Sequence, residues 1–189
     1  MPLDQFSTDR LFAYDWAPVV QDSDACQSLE ATLRSILTER VLEHLPPSFR
    51  LDMRKGAVRD WIEARAKESR VLLVEHKETG GLVGLLILAL HQETETFRSV
   101  HIGYLIAEEF WGKGIASELV SGLVTALDSD RATQLLGGVG TGNPASARVL
   151  TKAGFVKAPE LSTQTTDIYL RNAGNPTPVD SNPPSAATT

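Results

Sequence analysis

The sequence predicts an α/β (α+β) protein in which a mixed sheet is covered by helices on both faces. Strand-like and helix-like hydrophobic patterns follow one another in the order strand, two helices, three strands, helix, strand, helix and two strands. Turn signals within the run of three strands favour an antiparallel meander, and the strand–helix–strand step after it favours a parallel neighbour. A chain of 189 residues is long enough for one such domain.

The N-terminal segments supply the first strand and the first two helices. Side chains alternate between two faces over residues 7–16, which predicts a strand. Residues 21–45 repeat apolar side chains at helical spacing from the caps near Asp22 to a stop at Pro46, which predicts one long helix. A shorter amphipathic helix is expected from Ala57 to Ala66.

The later segments supply the other strands and the last two helices. The remaining strands are expected, in chain order, in RVLLVEH, LVGLLILALHQ, SVHIGYLIA, ATQLLGGVG, FVKAPELS and TTDIYLR. The first two of these are joined by KETGG, which is a hairpin signal. One helix is predicted from Gly114 onward, and another begins at Pro144 and ends before Gly154.

The sequence after Arg171 changes character. Residues 172–189 contain four prolines, which oppose regular structure, and Val179 is their only sizeable branched apolar side chain. We therefore expect a domain over residues 1–171 and a Pro/Ser/Thr-rich tail over residues 172–189. Closing strands near a C-terminus are well placed for exchange between protomers, so a homodimer is one arrangement that the sequence leaves open.

Composition and charge narrow the classes of function. The formal net charge of −6 argues against nucleic acid as a partner, because a duplex-binding surface is basic. The single cysteine, Cys26, cannot form an internal disulfide, and the histidines have no metal-ligand spacing, so no metal is expected. The apolar run GGLVGLLILAL is too short to span a bilayer. We expect a cytoplasmic protein with no signal peptide and no membrane partner.

Two glycines flank a lysine where a strand pattern changes into a helical one, in the segment EEFWGKGIASELV. A helix N-terminus offers unpaired N–H groups and the positive end of the helix dipole, and both suit a phosphate. Gly112 and Gly114 carry no Cβ atoms that would hold a ligand away from those amides, and Lys113 adds a cation. The pattern fits a diphosphate-binding turn or a tight turn that merely needs glycine. It is neither a Walker loop nor a dinucleotide fingerprint.

A wider pattern favours the diphosphate-binding interpretation. IGYLIAEEFWGKGIASEL, followed by GTGNPASARVLTKAGF, resembles the GNAT superfamily of acyl-CoA N-acyltransferases. The resemblance extends over residues 7–171 and is closest to the ribosomal-protein-alanine acetyltransferase-like (RimJ/RimL-type) branch. Trp111 stands where the superfamily motif has Gln or Arg, a replacement typical of that branch. The resemblance implies a single-domain GNAT-like fold whose mostly antiparallel sheet is splayed at the coenzyme site.

The resemblance also implies a coenzyme site. Leu105 and Ile106, at the end of a strand, would offer backbone groups to the pantetheine arm. Asn143 and Ser146 would lie near that arm and the thiol, and the position of Asn143 before Pro144 also suits a helix cap. The residues expected around the diphosphate are Trp111, Gly112, Lys113, Gly114, Ile115, Ala116 and Ser117.

The residues at the expected catalytic positions differ from those that many family members carry there. Attack of an amine on a thioester requires a group that removes a proton and is helped by one that protonates the departing thiolate. His101 stands where many family members carry Glu; it would act as a base, directly or through water, or be a hydrogen-bonded strand residue beside a water chain. The usual tyrosine acid falls on Leu150, which cannot donate. Ser146 or Tyr104 would replace it, or no side-chain acid is used.

The resemblance implies an acyl-CoA-dependent N-acetyltransferase that uses acetyl-CoA as cosubstrate. The acceptor would be a primary amine, on a protein N-terminus, a lysine or a small molecule, and would attack directly in a ternary complex. Two alternatives remain, an acyltransferase for a longer acyl-CoA and a non-catalytic acyl-CoA sensor. Glu108 and Glu109 precede the glycine turn and are interpreted as exposed loop charges or as an attraction for a cationic acceptor.

Overall fold

The computed structural model describes residues 3–43, 45, 51, 56–127 and 132–174. The strands of this part are β1 (Gln5–Ser7), β2 (Leu11–Asp15), β3 (Arg70–His76), β4 (Leu82–Glu93), β5 (Phe97–Ile106), β6 (Ala132–Gly140), β7 (Val156–Lys157) and β8 (Thr166–Ala173). The helices are α1 (Ala17–Gln21), α2 (Ser23–Ile36), α3 (Glu39–Leu42), α4 (Ala57–Glu68), α5 (Ile115–Leu127) and α6 (Pro144–Lys152).

The eight strands of the described residues form one mixed sheet in the order β1-β2-β3-β4-β5-β6-β8-β7. Neighbouring strands pair antiparallel except β5 and β6, which are parallel and are connected through α5. The predicted meander of β3, β4 and β5 and the predicted parallel step are both confirmed.

The pairing between β5 and β6 stops before either strand ends. It extends from Phe97 opposite Ala132 to Ile102 opposite Gly137. Strand β5 nevertheless continues to Ile106, and β6 continues to Gly140. The sheet therefore opens between these two strands, as the predicted splay requires.

Helices cover both faces of the sheet, each over its own hydrophobic cluster. One cluster joins α5 and α6 to the sheet, and the other joins α2, α3 and α4 to the opposite face. In β3, Leu72 and Val74 belong to the first cluster, whereas Val71 and Leu73 belong to the second. Because both faces are covered, the central strands are continuously apolar rather than alternating.

The single long helix predicted over residues 21–45 is wrong, because α2 and α3 divide its described part, although the cap expected near Asp22 is confirmed; α1 ends at Gln21. Asp22 is extended, and its carboxylate accepts from the backbone N–H groups of Asp24 and Ala25, which starts α2. Thr38 is also extended and caps α3 in the same way. The apolar spacing continues across these breaks, so hydrophobicity alone did not reveal them. The stop expected at Pro46 lies outside the described residues.

The strand predicted over residues 7–16 is confirmed over Leu11–Asp15, which form β2, but it does not begin at Ser7. β1 precedes it, and the two strands are joined by a turn in which the Thr8 N–H donates to the Leu11 carbonyl at 2.9 Å. The Leu11 N–H donates in return to Thr8 Oγ1 at 3.0 Å. A threonine side chain thus supplies the turn that the hydrophobic alternation did not indicate.

The C-terminal strands differ in length from the prediction. Only Val156–Lys157 of FVKAPELS is a strand, and Pro159–Leu161 forms a 3₁₀ turn instead. Strand β8 continues to Ala173, which pairs with Thr133, so regular structure extends two residues beyond the expected end at Arg171. Residues 175–189 of the predicted tail lie outside the described part. Within the described ranges, no helix has the length and apolar character needed to cross a membrane.

Leu33→Ala is expected to destabilise the fold by about 3 kcal/mol, because a fully buried leucine loses its contacts and leaves a cavity. The free energy of unfolding in urea measures this loss. Leu161→Ala is the matched control: its side chain is 49% exposed, and a change below about 0.5 kcal/mol is expected. Equal effects for both variants would show that α2 does not anchor its side of the core.

Candidate functional site

The glycine turn lies between the end of β5 and the start of α5. Gly112 and Gly114 have φ angles of 73° and 77°, in the left-handed region where other residues are strained. The Glu118 N–H donates to the Gly114 carbonyl at 3.0 Å, so the helix begins directly after this glycine. Gly114 has no side chain to cap the helix, and the first amides of α5 have no acceptor within the helix. These amides can therefore bind an anion.

Arg10 reaches this turn from the β1–β2 connection. Its Nε donates to Glu118 Oε2 at 2.6 Å, and its Nη1 donates to the Lys113 carbonyl at 3.1 Å. The second oxygen of Glu118 accepts from Thr8 Oγ1 at 2.6 Å and from the Arg10 backbone N–H at 2.8 Å. Arg10 was not among the predicted site residues, because no motif connects residues 108 positions apart.

The carboxyl group of Glu118 is held in its charged form. Burial alone would raise its pKa, but the hydrogen bonds from Thr8 and from the Arg10 backbone and side chain, together with the Arg10 charge, lower the pKa below its ordinary value. Glu118 is therefore ionised at neutral pH, and its charge offsets that of the Arg10 guanidinium beside the turn.

Trp111 occupies the position where the superfamily motif has Gln or Arg. Its indole Nε1–H donates to the Ile106 carbonyl at 2.7 Å, and the Arg40 guanidinium lies 5.3 Å from the ring centroid. The Ile106 carbonyl, which the resemblance assigned to the pantetheine arm, is thus bonded within the protein. The side chains of Leu105 and Ile106 are buried on opposite faces of the sheet.

The two glutamates before the turn have different surroundings. Glu108 accepts from Arg40 Nη1 at 2.7 Å, and its other carboxylate oxygen accepts from Thr38 Oγ1. The interpretation of Glu108 as a free loop charge is therefore wrong, because this side chain ties the turn to the start of α3. Glu109 is exposed.

Tyr104 and Ser146 meet beside the splay. The phenol oxygen of Tyr104, on β5, lies 2.8 Å from Ser146 Oγ, on α6. Asn143 caps α6, since its side-chain oxygen accepts from the Ser146 N–H at 3.0 Å. Burial raises the pKa of Tyr104 to about 12, although the hydrogen bond with Ser146 acts in the opposite direction. Tyr104 is therefore a protonated donor at neutral pH.

Leu150 occupies the position of the usual tyrosine acid and is a packing residue. It is buried, and one of its methyl groups lies 2.7 Å from the position that a Cβ at Gly137 would occupy. The absence of a side chain at Gly137 lets α6 approach β6 at this point. This close approach brings Ser146 to Tyr104.

His101 lies at the apex of the splay, one residue before the last β5–β6 pair. Its ring is half-buried and contacts the His91 ring edge-on, with a centroid distance of 5.3 Å. Burial, and then the charge of His91, lower the pKa of His101 below its ordinary 6.5. Because alternate strand residues point to opposite faces, His101 and Tyr104 lie on different faces of β5.

The predicted site residues thus form three groups around the splay. The glycine turn and the first turn of α5 make up one group, Tyr104, Asn143 and Ser146 make up the second, and His101 stands on the opposite face. In the described ranges, no three His, Cys, Asp or Glu side chains converge as a metal site would require.

Comparison with known proteins identifies a family. The family model described as an acetyltransferase (GNAT) domain matches residues 20–156. The uncharacterized N-acetyltransferase YoaA of Bacillus subtilis (strain 168) is 36% identical over 85 residues, which are 44% of this chain and 47% of that protein. The match thus spans about half the length of that curated relative.

Solved structures share the fold. RimL, a ribosomal L7/L12 alpha-N-protein acetyltransferase in complex with coenzyme A, has a TM-score of 0.63 at 16% identity, covering 89% of this chain and 98% of its own. The spermidine N-acetyltransferase of Vibrio cholerae, in complex with CoA and spermine, has a TM-score of 0.59 at 16% identity, covering 86% of this chain and 94% of its own. At this identity the likeness shows the fold alone.

His91→Ala is expected to raise the pKa of His101, because it removes the positive charge that opposes a second proton at this pair. The pKa should stay below 6.5, since burial is the larger cause of the shift. An NMR titration of the His101 imidazole signals measures both effects. Leu90→Ala, which changes an exposed uncharged neighbour on β4, should leave the titration unchanged. The same pKa in wild type and His91→Ala would contradict the coupling of the two rings.

Proposed function

Because the chain belongs to the GNAT acetyltransferase family, we propose that it transfers the acetyl group of acetyl-CoA to a primary amine. The observation that carries this proposal is the splay between β5 and β6, which leads to the glycine turn at the start of α5. The splay leaves room for an extended ligand between two strands, and the turn offers amides to a diphosphate at one end of it.

The diphosphate would lie against the turn from Trp111 to Ala116, with Ser117 beside it. The Trp111 N–H donates to the Glu108 carbonyl at 3.0 Å and the Lys113 N–H to the Phe110 carbonyl at 3.4 Å, so the other amides of the turn would make the contacts. Three observations support this fit: two glycines with positive φ angles, helix amides without intrahelical acceptors, and the cation of Lys113. No atom lies within 4 Å of the position that a Cβ at Gly112 would occupy, so this side of the turn is open. Backbone amides bind phosphate oxygens at such a turn without a dedicated side chain.

The pantetheine arm would extend along the opened edges of β5 and β6. Beyond Ile102 and Gly137, these edges no longer bond each other, so the amides of the arm can take the place of the missing strand pairing. The Leu105 backbone faces β4, since Ala107, two residues further on, donates its N–H to the Val83 carbonyl at 2.9 Å, so the role of Leu105 rests on the resemblance alone. Because the Ile106 carbonyl accepts from the Trp111 indole, the N–H of Ile106 would be the group that contacts the arm. Asn143 and Ser146 would lie near the thiol end.

The amine would attack the thioester carbonyl while His101 accepts a proton, directly or through water. A lowered pKa keeps the His101 imidazole neutral at pH 7, which is the form that accepts a proton. The N–C bond forms, the C–S bond breaks, and the sulfur departs as a thiolate. Since a thiol has an ordinary pKa of about 8.5, Tyr104, at about 12, would hydrogen-bond the thiolate rather than transfer its proton fully.

The proposal specifies the acceptor only as a primary amine, which would belong to a protein N-terminus, a lysine or a small molecule. Membership in the RimJ/RimL-type branch is part of the same proposal and is supported by Trp111 in the motif. RimL and the spermidine N-acetyltransferase share this fold but are named for different acceptors, so the fold does not select between them. Turnover with a panel of N-terminal peptides, lysine peptides and polyamines would identify the class. Binding of acetyl-CoA with no turnover across the panel would favour a sensor.

Gly114→Asp is expected to abolish acetyl-CoA binding while the protein stays folded, because it adds a negative charge to the turn proposed to hold the diphosphate, on the side where a Cβ would lie 3.7 Å from Arg10 Nη2. Gly114→Asn is the matched control, since it imposes the same backbone strain without the charge. Calorimetric titration with acetyl-CoA should give at least about tenfold weaker binding for Asp than for Asn. Equal affinities of the two variants would contradict the placement of the diphosphate.

His101→Ala is expected to lower kcat by about 10²-fold, in the range of a lost general base, with acetyl-CoA affinity near that of wild type. Wild-type kcat should fall with decreasing pH only below 6.5, as protonation through the lowered pKa removes the base. Steady-state rates across pH measure both effects. Full activity and an unchanged pH profile in the variant would return His101 to a structural role.

Tyr104→Phe is expected to lower kcat by about tenfold, because the departing thiolate loses a hydrogen-bond donor. Tyr14→Phe is the matched control: it also removes a phenol oxygen, bonded at 2.6 Å to Glu75 on the neighbouring strand, but lies away from the splay. The rate of thiol release with a saturating amine measures both variants. Equal rates for Tyr104→Phe and wild type would remove Tyr104 from the mechanism.

A further inference from the structure

We propose that Arg10 is a positioning residue for the coenzyme turn, because it fixes the peptide group between Lys113 and Gly114. This inference rests on the proposed function, since it concerns the amides assigned to the diphosphate. Arg10, Thr8 and Glu118 together form a latch, which joins the β1–β2 turn to the first turn of α5.

The latch is itself held from several sides. Glu118 receives three hydrogen bonds, from Thr8 Oγ1, the Arg10 N–H and Arg10 Nε, at 2.6, 2.8 and 2.6 Å. The Lys77 N–H, in the β3–β4 hairpin, donates to the Arg10 carbonyl at 2.8 Å. Gly122, on α5, allows the β1–β2 turn to lie this close to the helix, because a Cβ at position 122 would lie 2.3 Å from the methyl group of Thr8. The Arg10 guanidinium is therefore fixed in place before it reaches the turn.

The guanidinium acts on the turn through one carbonyl. Arg10 Nη1 donates to the Lys113 carbonyl at 3.1 Å. The carbonyl and the N–H of a trans peptide point in opposite directions within one plane, so fixing the Lys113 oxygen also fixes the direction of the Gly114 N–H. This N–H is one of the amides assigned to the diphosphate, and it points away from Arg10.

The turn needs such a restraint because this peptide ends at a glycine. Rotation of the Lys113–Gly114 peptide changes ψ of Lys113 and φ of Gly114, and glycine allows both signs of φ. A rotated peptide would present an oxygen to the phosphate instead of an N–H. The Lys113 side chain supplies no such restraint: its ammonium lies over the Phe110 ring, 5.4 Å from the centroid.

Position rather than charge is the proposed contribution of Arg10. Its ion pair with Glu118 is close, at 2.6 Å, so the carboxylate offsets part of the guanidinium charge. A lysine at position 10 would retain the charge but could not hold the Glu118 carboxylate and the Lys113 carbonyl together, because it lacks the planar fork. The effect should therefore depend on the guanidinium itself.

Calorimetric titration of the full chain with CoA and with dephospho-CoA tests the proposal. Arg10→Ala should weaken binding by about tenfold, as expected for loss of one well-placed amide contact to a charged ligand. The loss should be equal for both ligands, because both contain the diphosphate and only CoA has the 3′-phosphate. At saturating acetyl-CoA, kcat should be unchanged and KM raised.

Three further variants complete the test. Arg59→Ala removes an ion pair to Glu30 of similar exposure, on the other face of the sheet, and should leave CoA affinity unchanged. Arg10→Lys should bind as weakly as Arg10→Ala. Glu118→Gln, which retains Arg10 but loosens its anchor, should also weaken binding and provides the test if Arg10→Ala does not fold.

Each other outcome overturns the proposal in a distinct way. Wild-type affinity in Arg10→Ala would show that the turn needs no restraint from the latch. Wild-type affinity in Arg10→Lys would show that charge is sufficient, and a loss confined to CoA would indicate direct contact with the 3′-phosphate. If wild type binds neither ligand, the proposed function fails together with this inference, whereas wild-type binding of CoA with an unaffected Arg10→Ala rejects the inference alone.

Discussion

The parallel pairing of β5 with β6, and its end after Ile102 and Gly137, is the constraint on which the rest of the structure depends. Parallel neighbours must be joined by a crossover, and here α5 provides it, so a helix has to begin where β5 ends. The opening in the sheet and the exposed amides of α5 are therefore found at the same edge. The two clusters of buried side chains, one on each face, keep the sheet rigid up to that opening.

A turn built on two glycines is accessible but conformationally free, and the surrounding protein restricts it. The contacts come from three directions: the Trp111 indole to the Ile106 carbonyl, the Glu118 N–H to the Gly114 carbonyl, and Arg10 to the Lys113 carbonyl. Glu108, bound to Arg40 at the start of α3, adds a connection to the opposite face of the sheet. The helices that cover one face are thus linked directly to the glycine turn.

The sequence predicted those parts of the fold that depend on local hydrophobic pattern. The meander, the parallel step and α5 were recognisable because their apolar residues repeat at the spacing of strands and helices. The break between α2 and α3 depends on a polar cap at Thr38, and the β1–β2 turn depends on Thr8; neither changes the apolar spacing. For the site, the glycine turn was named from the sequence, and Tyr104 and Ser146 were named as alternative acids, but their contact was not foreseen. The Arg10 contact spans 108 positions and leaves no trace in local pattern.

The close approach of α5 to the β1–β2 turn at Gly122 has a consequence for how this domain can be recombined. The segment matched by the family model begins at residue 20, whereas Thr8 and Arg10 precede it. A chimera that exchanges only the matched segment would pair a foreign α5 with the original turn, and a larger residue at the position of Gly122 would push the two apart. The β1–β2 segment and α5 therefore form one unit of exchange, although 108 positions separate Arg10 from Glu118.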